Sequence, residues 1–170
     1  MVAASKDGKG CFMSRDYERE GGTTLLLGLD TDGTNRLVLL NANWSIKPGD
    51  KLKLDFRLSG SSYPAHLAVG ISSDGKQGFV TSFGAKFPSY FAASRILQVS
   101  RGDVPVERLD LDGADAAVAE LTSCVADKRG KPAAATSGKP RSEDIPRDPF
   151  ASPPDDKDSK GERTRIRGGR

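Results

Sequence analysis

Between Lys51 and Ser59 the chain alternates strictly: Leu52, Leu54, Phe56 and Leu58 on one side, Lys53, Asp55 and Arg57 on the other. A period of two puts four apolar side chains on one face and the charges on the opposite face, as in a half-buried antiparallel strand. A helix would scatter the same residues around its circumference. The same period recurs in Thr24–Asp30, where Leu25, Leu27 and Leu29 share a face. Arg36–Ala42 is more continuously apolar and is expected to be buried on both faces.

Turn signals separate these runs. Asp32-Gly33 lies between the Thr24 and Arg36 strands, and an Asp-Gly pair between alternating segments is a hairpin signal. Lys6-Asp7-Gly8 joins a short Val2–Ala4 strand to Cys11–Ser14, and Ser73-Asp74-Gly75 joins Leu67–Ser72 to Gly78–Phe83. Pro48-Gly49-Asp50 leads into the Lys51 strand, and Arg101-Gly102-Asp103 joins Ile96–Ser100 to Val104–Leu111. About eight short strands at regular spacing predict a mainly β (α+β) fold, an antiparallel sandwich or barrel.

Two helices are expected beside the strands. Ser89–Arg95 follows Pro88 and is short. In Ala114–Asp127, residues Ala114, Ala117, Val118, Leu121 and Val125 recur at helical spacing, with Asp112 or Asp115 available as the N-cap. Lys128, Arg129 and Gly130 supply a helix-ending sequence, so the globular domain is placed at residues 1–128.

Residues 129–170 differ in composition. They hold six of the ten prolines and few apolar residues besides alanine, Ile145, Phe150 and Ile166. Such a segment buries too little apolar surface to offset the entropy of ordering it, and a disordered Pro/Arg-rich tail is expected. Up to Lys128 the chain carries 15 basic and 16 acidic residues, and beyond it 11 and 7. The folded part is thus near neutral, and no strong field steers it to nucleic acid or membrane. No apolar run approaches the length of a membrane span, and MVAASKDGKG lacks the apolar core of an export signal.

No cofactor is implied. A single histidine, His66, and two cysteines, Cys11 and Cys124, fall short of a zinc set. A reduced pair and one disulfide are both open, and a Cys–His nucleophile pair would require the partners to meet in space. Asp30, Asp32 and Asn35 lack the spacing of a calcium loop and read as hairpin chemistry. Arg101-Gly102-Asp103 spells an integrin-read tripeptide, and it is also ordinary turn chemistry.

Binding residues are sought among the aromatics. Phe79, Phe83, Phe87, Tyr90 and Phe91 lie within thirteen residues, and a groove lined by Phe83, Phe87 and Tyr90 beside Lys86 would suit a peptide, glycan or apolar ligand. Trp44, between Asn43 and Ser45, is either a packing anchor or a binding ring. Arg163, Arg165, Arg167 and Arg170 could hold a polyanion, weakened by Asp155, Asp156 and Asp158 upstream.

The order of signals also resembles a family. Gly10-Cys11-Phe12, then Thr23-Thr24-Leu25 with Asp30-Thr31-Asp32-Gly33, Asn43-Trp44-Ser45 before a Pro-Gly turn, Phe91–Ser94, and a final Leu-x-Leu-x-Gly leading to a helix with Cys124 are similar to small exported β-rich proteins of alphaproteobacteria, distantly similar to the invasion-associated locus B family. The resemblance covers Met1 to about Cys124. It implies export, a disulfide between Cys11 and Cys124, and no enzymatic mechanism. The departures are the missing export signal and the very short first strand, so the expected location is periplasmic or secreted if the native start is longer, and cytoplasmic if Met1 is the true start. The expected function is a non-enzymatic binding module of the bacterial envelope; the alternative is a cytoplasmic protein that docks on nucleic acid or another polyanion through its tail arginines.

Overall fold

The alternating segments do form strands, and they join edge to edge into one antiparallel sheet of nine (a computed structural model describes residues 1–137, and the side chains of residues 1–130). In chain order these are β1 (Val2–Ala4), β2 (Gly10–Tyr17), β3 (Thr23–Asp30), β4 (Asn35–Asn41), β5 (Lys51–Arg57), β6 (Ser62–Ser73), β7 (Lys76–Thr81), β8 (Ile96–Arg101) and β9 (Val104–Asp110). Helix α1 (Phe87–Ala92) lies between β7 and β8, and α2 (Ala114–Ser137) follows β9. The fold is mainly β, as expected. The nine strands form a single open sheet.

The strand order is β1-β2-β3-β4-β7-β6-β5-β8-β9. Two antiparallel meanders are therefore joined through β4 and β7, and two connections must cross neighbours. Residues 42–50 carry the chain from β4 past β7 and β6 to β5, and residues 82–95, with α1, carry it from β7 past β6 and β5 to β8. Tight hairpins supply the remaining turns. At the β6–β7 turn Asp74 and Gly75 both adopt positive φ (51° and 79°), which the first tolerates as an aspartate and the second as a glycine.

Side-chain alternation fills one face. Leu25 and Leu27 of β3, Leu37 and Leu39 of β4, Leu54 and Phe56 of β5, Phe79 of β7, Leu97 and Val99 of β8 and Leu109 of β9 are all buried in one core. Helix α2 adds Ala114, Val118, Leu121 and Val125 to it, the face its spacing predicted. A disulfide between Cys11 in β2 and Cys124 in α2 fixes the helix to the sheet.

Two helix boundaries differ from the sequence reading. Gly113 (φ 82°), rather than Asp112 or Asp115, immediately precedes α2, and Asp115 lies inside its first turn, where an anion still favours the helix dipole. Gly130 does not adopt positive φ, so no glycine cap forms there, and the helix runs on through the Ala133–Ala135 stretch, whose residues have the highest helix propensity. Chain contacts within the sheet and the first part of α2 form a compact unit over Met1–Pro132. The expected disordered tail lies outside the described residues beyond Ser137.

Candidate functional site

The connection over residues 42–50 is a built element. Asn41 is buried at the end of β4, and its amide donates to Thr23 Oγ1 (2.9 Å) and to the Glu20 carbonyl (3.0 Å). Its Oδ1 accepts the backbone N–H of Asn43 (2.8 Å), which turns the chain immediately before Trp44. At the far end the Lys47 N–H donates to Asp50 Oδ2 (3.0 Å), and Gly49 and Asp50 exchange backbone bonds with Gly70 of β6 (2.9 and 2.7 Å). A Cβ on Gly70 would lie 2.1 Å from the Lys47 carbonyl oxygen, so only glycine lets this loop rest on the strand.

So anchored, the loop lays the Trp44 ring parallel to Phe79 of β7, centroids 5.9 Å apart and planes 8° apart. Phe79 in turn meets Phe56 edge to face. On the other side stands the β8–β9 hairpin, turned at Gly102 and bringing Arg101, Val104, Pro105 and Val106 to the same end of the sheet. Between loop and hairpin lies a cleft of about 300 Å³, with Ile46, Leu52 and Leu54 on its floor and Asn43 and Ser45 at one side. Val104 beside it is 63% exposed. The Trp44 ring also borders a polar hollow shared with Glu18, Arg19, Asn41 and Glu107.

That hollow marks the seam where the sheet's margins meet without pairing. Glu107 of β9, its side chain 9% exposed, is ion-paired with Arg19 and accepts Thr23 Oγ1 (2.6 Å). Arg19 also donates to the Arg108 carbonyl (2.6 Å). The buried carboxylate is thus fully engaged, as its burial demands.

The aromatic groove expected around α1 is not formed. Phe87 and Phe91, four apart on one helix face, are buried with Phe79, which leaves Tyr90 and Lys86 on the outer side. Phe83 is held between the His66 ring (4.3 Å) and Phe87 (3.9 Å), both stacked nearly parallel, and Asn35 clamps its backbone at N and O (3.1 Å each). Phe83, Phe87, Lys86 and Tyr90 do not line the Trp44 cleft. The correction follows from helical geometry: residues close in sequence spread around α1, and the pair at i and i+4 goes inward. Of the five residues proposed from sequence, Trp44 borders this cleft.

Both sulfurs are joined in the disulfide, and no free thiol is present among the described residues. His66 Nε2 meets the Ser82 carbonyl at 2.8 Å. Asp32 accepts the Thr34 hydroxyl and N–H, which lowers its carboxyl below the usual value, while Asp30 pairs with Arg36; the loop is a hairpin turn. Among the described residues no cluster of metal-ligating side chains occurs. Arg101, Gly102 and Asp103 are all exposed at the β8–β9 turn. No helix among the described residues is long and apolar enough to cross a membrane. Arg163, Arg165, Arg167 and Arg170 lie outside the described residues.

Comparison with protein-family models, with curated proteins and with solved structures finds no match to this chain.

Sequence reasoning missed Ile46, Leu52, Arg101 and Val104 as cleft residues. A signal was present in the Val104-Pro105-Val106 run, which breaks strict alternation at the free margin of the sheet.

Proposed function

We propose that this domain is a non-enzymatic binding module of an oxidising compartment, the bacterial envelope, that takes a small, largely apolar ligand in the cleft beside Trp44. One observation carries the reading: a cleft of about 300 Å³ walled by a ring, aliphatic side chains and a proline, and bounded by two anchored segments of chain. Small-molecule sites are concave, mostly apolar and largely preformed, with volumes from roughly 300 Å³ upward. The Cys11–Cys124 disulfide supports an oxidising location, since such bonds persist outside the reducing cytosol.

The test uses Trp44, the chain's one tryptophan, as reporter. A neutral apolar fluorophore, N-phenyl-1-naphthylamine, is titrated into the protein and energy transfer from Trp44 is followed. Saturable transfer at one site, weakened about ten-fold or more by Val104→Asp, supports the reading. Non-saturating transfer, or saturation indifferent to Val104→Asp, contradicts it.

A further inference from the structure

The cleft's lining has one charged member. Of the eleven residues around it, Arg101 is the only one that ionises; the rest are Asn43, Ser45 and apolar side chains. Among the described residues Arg101 makes no ion pair and its side chain makes no hydrogen bond, a freedom it shares with Arg57, Arg95 and Arg108, none of which borders this cleft. Asp103, the acid nearest in sequence, borders a separate hollow.

We infer that the Trp44 cleft is a site for an amphiphile: an apolar chain or ring lying against Trp44, Ile46 and Leu52, ending in an oxyanion group held by Arg101. This rests on the reading of the cleft as a binding site and specifies its ligand class. A guanidinium offers a planar pair of donors matched to a carboxylate or a phosphate, and it gives up water more readily than an ammonium does. Apolar walls reduce screening, so one cation at the mouth discriminates between a charged and a neutral head more sharply than it would on an open surface. The exposed Val104 sits three residues from Arg101, directly opposite it in the hairpin register, which places an apolar contact and a charge at one mouth.

The experiment compares decanoate with decanol, identical in chain and different in head, as competitors of N-phenyl-1-naphthylamine, for the wild type, Arg101→Gln and Arg101→Lys. Arg101 ends a strand at the surface, and an unchanged far-UV spectrum and melting temperature verify each fold. The expected result is decanoate binding about ten-fold or more tighter than decanol, a difference abolished in Arg101→Gln and partly kept in Arg101→Lys. Equal competition by the two, unaffected by Arg101→Gln, overturns the ligand class while leaving the cleft a binding site. Failure of the probe itself to saturate overturns both readings. Decanoate held tightly only by anionic-lipid-free vesicles mixed with the protein, and not by the protein alone, also overturns the inference.

Discussion

The Tyr17 hydroxyl donates to the Asp110 carbonyl at 2.7 Å, joining the end of β2 to the end of β9 across a gap that no backbone ladder closes. Arg15 reaches the Asp112 carbonyl (2.7 Å) and Arg19 the Arg108 carbonyl (2.6 Å) along the same line. Side chains of one margin thus occupy carbonyls of the other. An open sheet exposes unpaired edges that invite pairing with another chain, and this zipper covers one of them.

Tyr17 is half-buried, and its burial pushes the phenol above its ordinary value of 10.0. The unfolded chain therefore loses this proton at lower pH than the folded one does. The stabilisation is fully present below about pH 10 and falls as pH rises through the folded value. Tyr17→Phe should cost about 1 kcal/mol at neutral pH. Above pH 10 the gap between the two proteins in urea unfolding should narrow. A gap that widens there contradicts the assignment.

The Cys11–Cys124 bond closes a separation of 113 residues. In the chain-entropy model a loop of this size is worth about 4–5 kcal/mol. Reduction, or Cys11→Ser with Cys124→Ser, should lower the denaturation midpoint by a corresponding amount, with amides of α2 losing hydrogen-exchange protection first. An unchanged midpoint would show that α2 is held by Val118, Leu121 and Val125 alone.

Phe87 is buried to 1% whereas Tyr90, one turn on, is 40% exposed. Phe87→Ala should destabilise by about 3–5 kcal/mol and Tyr90→Ala by no more than about 0.5 kcal/mol. Equal effects would mean that α1 is rotated relative to the face described.

Gly70→Ala tests the anchoring of the Trp44 loop. The added methyl meets the Lys47 carbonyl oxygen, so the loop must move. The expected outcome is a shifted Trp44 emission maximum and probe binding weakened about ten-fold, with most of the global stability kept. Unaltered emission and binding would show that the loop does not position the ring.

The hairpins were legible in the sequence because their chemistry is local. Asp32-Gly33, Asp74-Gly75 and Gly102-Asp103 each specify a turn within four residues. The inward faces of β3 and β5 were legible for the same reason: Leu25 with Leu27, and Leu54 with Phe56, follow a period of two. The strand order was not. Nothing in Asn41 or Lys51 announces that the chain skips two strands between them, since β4–β7 and β5–β8 pairing is set by long-range packing. The candidate site suffered from the same limit. Phe87 and Tyr90 are neighbours in sequence, yet α1 divides them between core and surface. Arg101 is distant in sequence from Trp44 and Leu52 and joins them only because a crossing loop and a hairpin end at one margin of the sheet.

The most direct measurement is a map of backbone and indole NMR shifts as N-phenyl-1-naphthylamine is added to the isotope-labelled chain. The expected changes are concentrated at the Trp44 indole, at residues 43–46 and 52–54, and along the hairpin from Arg101 to Val106, with Lys86 and Tyr90 unmoved. Changes centred on α1, or spread evenly over the surface with the Trp44 indole still, would contradict binding in the Trp44 cleft.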